Sequence, residues 1–159
     1  MVKVVVRLEN KSFTSFNDLI KYLQPIVNEV LLDDVKDVVR DEIESSAIEV
    51  ILNAGEPIWY NRRSSTNSLG SGGIADKAEM EATLIENGVV SIEDTALPSR
   101  PWNNGRTLAE NLEYGYNDMT HWWDQPRPFI QQSRENLEQN KNHVRSLKNG
   151  LRKRGLTVI

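Results

Sequence analysis

Met80-Glu81-Ala82-Thr83-Leu84-Ile85-Glu86-Asn87-Gly88-Val89-Val90-Ser91-Ile92-Glu93-Asp94-Thr95 is the stretch that decides the fold class. Two β-prone runs flank Asn-Gly, the pair that most readily takes the positive φ angles a tight hairpin needs. The spacing predicts an antiparallel hairpin with a type I′ turn, both Asn87 and Gly88 at positive φ. Apart from a β-branched run at Val2 to Leu8, the sequence around this hairpin carries helical periodicity or loop composition.

Upstream, Val27, Val30, Leu31, Val35, Val38, Val39, Ile43, Ile48, Ile51 and Leu52 recur at steps of three and four until Gly55 and Pro57. That pattern predicts a helix of roughly 45 Å at 1.5 Å per residue. Because proline disfavours helical geometry in the residue before it, Pro25 is expected to end one helix at Gln24 and to open the long one. The earlier helix starts near Ser15 or Asn17, both good N-caps, with Leu19, Ile20 and Leu23 as its apolar stripe. Val2 to Leu8, rich in β-branched residues, reads as a strand that joins the sheet. The polar face of the long helix, with Glu29, Asp33, Asp37, Asp41, Glu44 and Glu49, reads as a solvated face or as an acidic surface for a basic partner or a DNA channel.

Between the long helix and the hairpin, Tyr60 to Gly73 is rich in Ser, Asn and Gly and is expected to be a loop. Its Gly70 to Gly73 segment lacks the Lys-Ser/Thr ending of a phosphate-binding loop. After the hairpin, Pro98 to Gly105 reads as a second irregular segment, and Leu108, Ala109 and Leu112 resume helical spacing. Trp122-Trp123-Asp124-Gln125-Pro126-Arg127-Pro128-Phe129-Ile130 then combines aromatics and an arginine with two prolines that stiffen the chain, a composition suited to docking. From Phe129 onward Ile130, Ser133, Leu137, Asn140, Val144, Leu147 and Leu151 form one seam, which predicts a single C-terminal helix. The expected architecture is α+β and a single domain over residues 1–159. A long helix and a C-terminal helix pack on a small, mostly antiparallel sheet, with long loops projecting.

At 159 residues the chain can bury a real core without staples. It has no Cys, which excludes disulfides and thiolate metal sites and fits assembly in reducing cytoplasm. Met1 to Leu8 has no long apolar stretch and no small-residue cleavage site, and so is expected to be neither a signal peptide nor a membrane anchor. A net charge of −4 argues against sequence-independent binding of nucleic acid, although Arg145, Lys148, Arg152, Lys153 and Arg154 make the C-terminus basic. His121 and His143 lack the spacing of a zinc site and read as surface imidazoles. No nucleophile elbow, dinucleotide fingerprint or deaminase signature occurs, so no catalytic, cofactor or metal residues are assigned.

Several of these segments stand in a familiar order. A long helix is followed by Tyr60-Asn61-Arg62-Arg63 and the Gly-rich loop, then by Leu108-Ala109-Glu110-Asn111-Leu112-Glu113-Tyr114-Gly115, and finally by Arg127-Pro128-Phe129 opening the last helix. From about Val27 onward this resembles the small neck or tail-completion proteins of long-tailed bacteriophages. The chain departs from many relatives in Tyr116-Asn117-Asp118 after Glu-aromatic-Gly and in its double Trp. The resemblance implies a structural virion protein of the head-tail junction, assembled in the host cytoplasm as a homo-oligomeric ring, a hexamer. Such a ring contacts head-completion or connector proteins and tail-terminator or tail-tube proteins. DNA passes nearby without sequence-specific binding, and no membrane is involved. The interface implied comprises Tyr60, Arg62, Arg63, Glu113, Tyr114, Trp122, Trp123, Arg127, Pro128 and Phe129, with Arg127 expected to pair with Glu113 or with a neighbour's carboxylate. Two other readings of the residues stand beside it. One is a cytoplasmic protein-binding module that uses the acidic helix or the basic C-terminus. The other is a small hydrolase built on Glu79, Glu81, Glu86, Glu93 and Asp94.

Overall fold

The computed structural model describes residues 12–52, 64–65, 68–69, 73–97, 106–115 and 125–158. The expected strand at Val2 to Leu8, the segment Pro98 to Gly105 and the Trp122-Trp123 pair lie outside them. The architecture is α+β. Its helices are α1 (Phe16–Val30), α2 (Lys36–Ala47), α3 (Leu108–Tyr114), α4 (Phe129–Asn140) and α5 (Asn142–Lys153). The strands are β1 (Ser64–Ser65), β2 (Ser68–Leu69), β3 (Met80–Glu86) and β4 (Val89–Asp94). They pair as two separate two-stranded sheets, β1 with β2 and β3 with β4. The β1–β2 pair, with Ser64 opposite Leu69, puts a short antiparallel contact inside a segment read from composition as loop.

Contacts gather the described residues into two compact units. One is drawn from Met1–Val38, Ala82–Ser91 and Lys141–Ile159, the other from Val39–Glu81 and Ile92–Asn140. In the first, the N-cap expected at Ser15 is present: its Oγ accepts from the Asp18 backbone N–H at 3.2 Å. The Asp18 carboxylate in turn accepts from the Thr14 and Ser15 hydroxyls, which hold it below the usual carboxylate range. Pro25 does not divide the helix as expected but lies inside α1. Proline removes one hydrogen bond, to the carbonyl four residues earlier. Both Pro25 and Lys21 are on the exposed side, where water can take the freed carbonyl. Beyond Val30 the helix widens into a π turn, Leu31–Val35. There the Asp34 carbonyl accepts from Ser146 Oγ at 2.9 Å, so a partner on α5 occupies a backbone acceptor within the wider turn.

The core of the first unit is Val30, Leu151, Leu156 and Val158, flanked by Leu23, Ile26, Val27, Val35 and Leu147. Helices α1 and α5 approach closely because residue 150 is glycine: a Cβ there would lie 2.4 Å from Val30 Cγ1 and 2.8 Å from Asp34 Oδ2. The end of α5 is a Schellman motif. Gly155 takes φ 80°, its N–H donates to Arg152 O, and the Leu156 N–H donates to Leu151 O, which turns Leu156 and Val158 back into the core.

The second unit has the larger core. Ile43, Ala47 and Ile51, spaced by four along α2 and a second π turn (Ile48–Leu52), meet Ile74, Ala75, Met80, Ala96, Leu112 and Phe129. The Arg40 guanidinium donates to the Met80 carbonyl. Helix α4 packs here and is tied to α2 through Glu42, whose carboxylate accepts from Asn136 Nδ2 at 2.8 Å and Asn140 Nδ2 at 3.3 Å. Buried Ser133 is satisfied by the Ile130 carbonyl at 2.8 Å.

The single C-terminal helix expected from the seam is therefore two helices. Lys141 adopts the left-handed conformation, φ 55°, and separates them, so that Phe129, Ile130 and Ser133 serve the second unit while Leu147 and Leu151 serve the first. His143, expected at the surface, is half-buried, with Nδ1 unpartnered among the described residues.

Candidate assembly surface

Within the second unit, α3 and the start of α4 form a corner whose geometry is over-determined. Thr107 Oγ1 accepts from the Glu110 N–H at 3.1 Å and Glu110 Oε2 accepts from the Thr107 N–H at 2.8 Å, a complete capping box on a helix of only two turns. Asn111, fully buried, donates to the Thr107 carbonyl at 3.0 Å. At the other end Gly115, φ 77°, releases the chain from α3. The arm is then pinned by backbone: the Arg127 N–H donates to Leu112 O at 2.7 Å and the Phe129 N–H to Arg127 O at 2.8 Å.

Glu113 completes the corner. Its two carboxylate oxygens accept from the N–H groups of Ile130 and Gln131, at 2.9 and 3.0 Å. These are among the first N–H groups of α4, which have no partner within their own helix, and the positive end of the helix dipole favours a carboxylate there. Glu113 thus acts as a cap supplied from another element, 17 residues earlier in sequence. Phe129 is buried completely in the core of its own unit, so its ring anchors α4 and is not a surface contact. Pro126 and Pro128 are exposed and Arg127 is half-buried. Tyr114, 68% exposed, carries the Arg106 guanidinium 5.9 Å from its ring centre. Of the remaining interface candidates, Tyr60, Arg62, Arg63, Trp122 and Trp123 lie outside the described residues.

The hairpin appears where it was expected, but its turn differs. Gly88 has φ 83°, whereas Asn87 is not at positive φ. A single positive φ departs from type I′, which needs positive φ at both central residues. The cause is tertiary: Asn28 on α1 grips the turn, its Oδ1 accepting from the Gly88 N–H at 2.8 Å and its Nδ2 donating to Asn87 Oδ1 at 3.0 Å.

The base of the hairpin holds an unusual carboxyl. The Thr95 N–H and Oγ1 both donate to the Glu79 carbonyl at 2.7 Å, closing β3 against β4. Asp94 beside them is buried. Its Oδ1 accepts from the Ala96 N–H at 3.0 Å, and its Oδ2 has no partner among the described residues. Burial, reinforced by the nearby charges of Glu79 and Asp76, pushes the Asp94 carboxyl up to about 7. Among the described residues no three His, Asp or Glu side chains are grouped as a metal site.

The acidic stripe of the long helix is largely occupied from within the chain. In the first unit Arg154 reaches Glu29, Asp33 and Asp34 at 3.2, 2.9 and 2.8 Å, and Lys153 reaches Asp34 at 2.7 Å. These donors, Lys153 foremost, hold the Asp34 carboxyl below its usual range. In the second, Lys77 bridges Asp41 at 2.6 Å and Glu44 at 2.9 Å, and its ammonium is correspondingly harder to deprotonate. A surface so furnished with its own cations is a weaker lining for a DNA channel than the bare stripe in the sequence suggested.

Thr107-x-x-Glu110 is a capping signal that sequence alone could have yielded. The Glu113 cap and the buried Asp94 have no such signal, since each depends on what a distant segment brings to it. Compared with known proteins, residues 15–153 match the family model described as YomN. No curated protein and no solved structure matches the chain.

Proposed function

The chain belongs to the YomN family, a phage-type protein family, and on that premise we propose that it is a structural component of the phage head-tail junction. In this reading copies of the chain form a ring between the head-completion or connector proteins and the tail-terminator or tail-tube proteins. The observation that carries it is the α3–α4 corner. A short helix with a full capping box, a carboxylate cap on its neighbour and a buried Phe129 together hold Tyr114 and the Arg127-Pro128 arm in one place at low entropic cost. Tyr and Arg are side chains favoured as interface anchors, and an exposed Tyr114 on such a rigid mount suits repeated docking.

Complementation with Tyr114→Ala combined with Arg127→Ala tests this reading. Heads and tails accumulate separately in electron micrographs of the lysate, while the purified variant melts within about 2 kcal/mol of the parent. Normal joined particles from the double variant would defeat the assignment of this corner. Absence of the chain from purified particles, determined by mass spectrometry, would defeat the structural role itself.

A further inference from the structure

Helix α5 carries a second surface. Arg145, Lys148 and Arg152 stand at i, i+3 and i+7, so the three cations form one stripe. Lys153 and Arg154, next in sequence, are taken up by Asp34, Asp33 and Glu29. The three stripe residues have no carboxylate partner among the described residues. Arg145 donates to Asn142 Oδ1 at 3.0 Å, and Arg152 donates to Asn149 Oδ1 and the Val158 carbonyl.

The same unit exposes a surface of opposite character. At the tip of the hairpin Leu84 and Glu86, two residues apart, share one face of β3, and the two-residue turn sets Val89 opposite Glu86 on that face. All three side chains are exposed. A carboxylate flanked by bare apolar groups fits a partner that offers a cation on a long aliphatic stem, which is what the α5 stripe offers.

We infer that the hairpin tip of one copy docks on the α5 stripe of a second copy, Glu86 meeting Arg145 and Lys148 while Leu84 and Val89 pack on their stems. The two patches are different surfaces of one chain, so the contact is heterologous and propagates from copy to copy, as a ring requires. This rests on the ring reading above. Nucleic acid is the poorer occupant, because a chain of net charge −4 repels a polyanion outside a short stripe and leaves the apolar part of the hairpin uncovered.

Native mass spectrometry and sedimentation of the full chain at about 0.05 and 0.5 M salt test the contact, with the salt range chosen to vary screening. Glu86→Lys, or Arg145→Glu with Lys148→Glu, lowers the assembled fraction about tenfold at low salt. Combining the two sets restores it, because the charges are exchanged rather than lost. Assembly indifferent to either reversal, or not recovered by the combination, overturns the contact and leaves the ring reading standing. Retention of a labelled DNA duplex by the wild-type stripe, abolished by Arg145→Glu with Lys148→Glu, also overturns it and assigns the stripe to phosphate. A wild-type chain that stays monomeric at every concentration, alone and with purified particles, overturns the ring reading and the contact with it.

Discussion

The two units solve the same problem, closing a small core around a helix, with different emphasis. The first brings α1 and α5 together at Gly150 and secures them from outside with side chains: Arg154 and Lys153 on Glu29, Asp33 and Asp34, and Ser146 on the Asp34 carbonyl. The second buries larger apolar residues, Phe129 and Met80 among them, and adds to its side-chain ties at Lys77 and Glu42 the side chains that cap helix backbone, in the Thr107 capping box and the Glu113 cap. The difference shows where electrostatics count. Charges at the edge of a core share their energy with solvent and salt, whereas a carboxylate on orphan N–H groups replaces bonds that the helix cannot make for itself.

Titration is the largest lever on this contrast, and it acts on the second unit. Burial raises the Asp94 carboxyl from the 3.8 of an ordinary Asp to about 7 in the folded chain, so between these values the folded chain holds a proton that the unfolded chain has lost. Stability contributed by this group is therefore greatest at low pH and falls as pH rises toward 7, by roughly 4 kcal/mol over the window. Asp34 works in the opposite sense: its lowered folded pKa supplies stability at neutral pH that is lost as pH falls below the ordinary carboxylate range. Chemical denaturation of the parent and of Asp94→Asn at a series of pH values separates the two. The variant loses the decline between pH 4 and 7, and an unchanged decline would show that the buried carboxyl is not its source.

Next in size is the close approach in the first unit. Gly150→Ala forces a methyl group to 2.4 Å from Val30 Cγ1, and displacing the helices costs about 2 kcal/mol despite the better helix propensity of alanine. A melting temperature equal to or above that of the parent would mean that α1 and α5 separate at little cost, and that the ion pairs rather than the packing hold them.

The smallest effect expected is at the cap. Glu113→Ala removes the acceptor for two N–H groups of α4 and costs about 1 kcal/mol, with little dependence on salt. Hydrogen exchange at Ile130 and Gln131 should accelerate in this variant while exchange within α5 stays as it was. Faster exchange throughout both helices would erase the distinction between the units.

Much of the secondary structure was legible in the sequence because its causes are local. Ser15 as N-cap, the hairpin about Asn87-Gly88, the helical spacing of Leu108 to Leu112 and the helix start at Phe129 all follow from residues within one or two turns of each other. The candidate surface was less legible. The sequence points to Glu113 but not to the backbone N–H groups of α4 that it caps, and it does not place Phe129 in the core. Short-range pattern cannot show whether an aromatic beside a proline turns inward or outward, because that depends on where the core of its unit lies.

By itself, then, the sequence determined the α+β class, the hairpin and most helix starts, since capping, turn chemistry and periodicity each act over a few residues. Only the tertiary structure decided that Pro25 stays inside α1, that Lys141 splits the last helical run between two cores, that Asn28 draws the Asn87-Gly88 turn away from type I′, and that Asp94 is buried. Local preferences of this kind are worth from a few tenths of a kcal/mol to about 3 kcal/mol for an interior proline. Packing a core and satisfying buried backbone can outweigh them, and those terms exist only once distant segments have met.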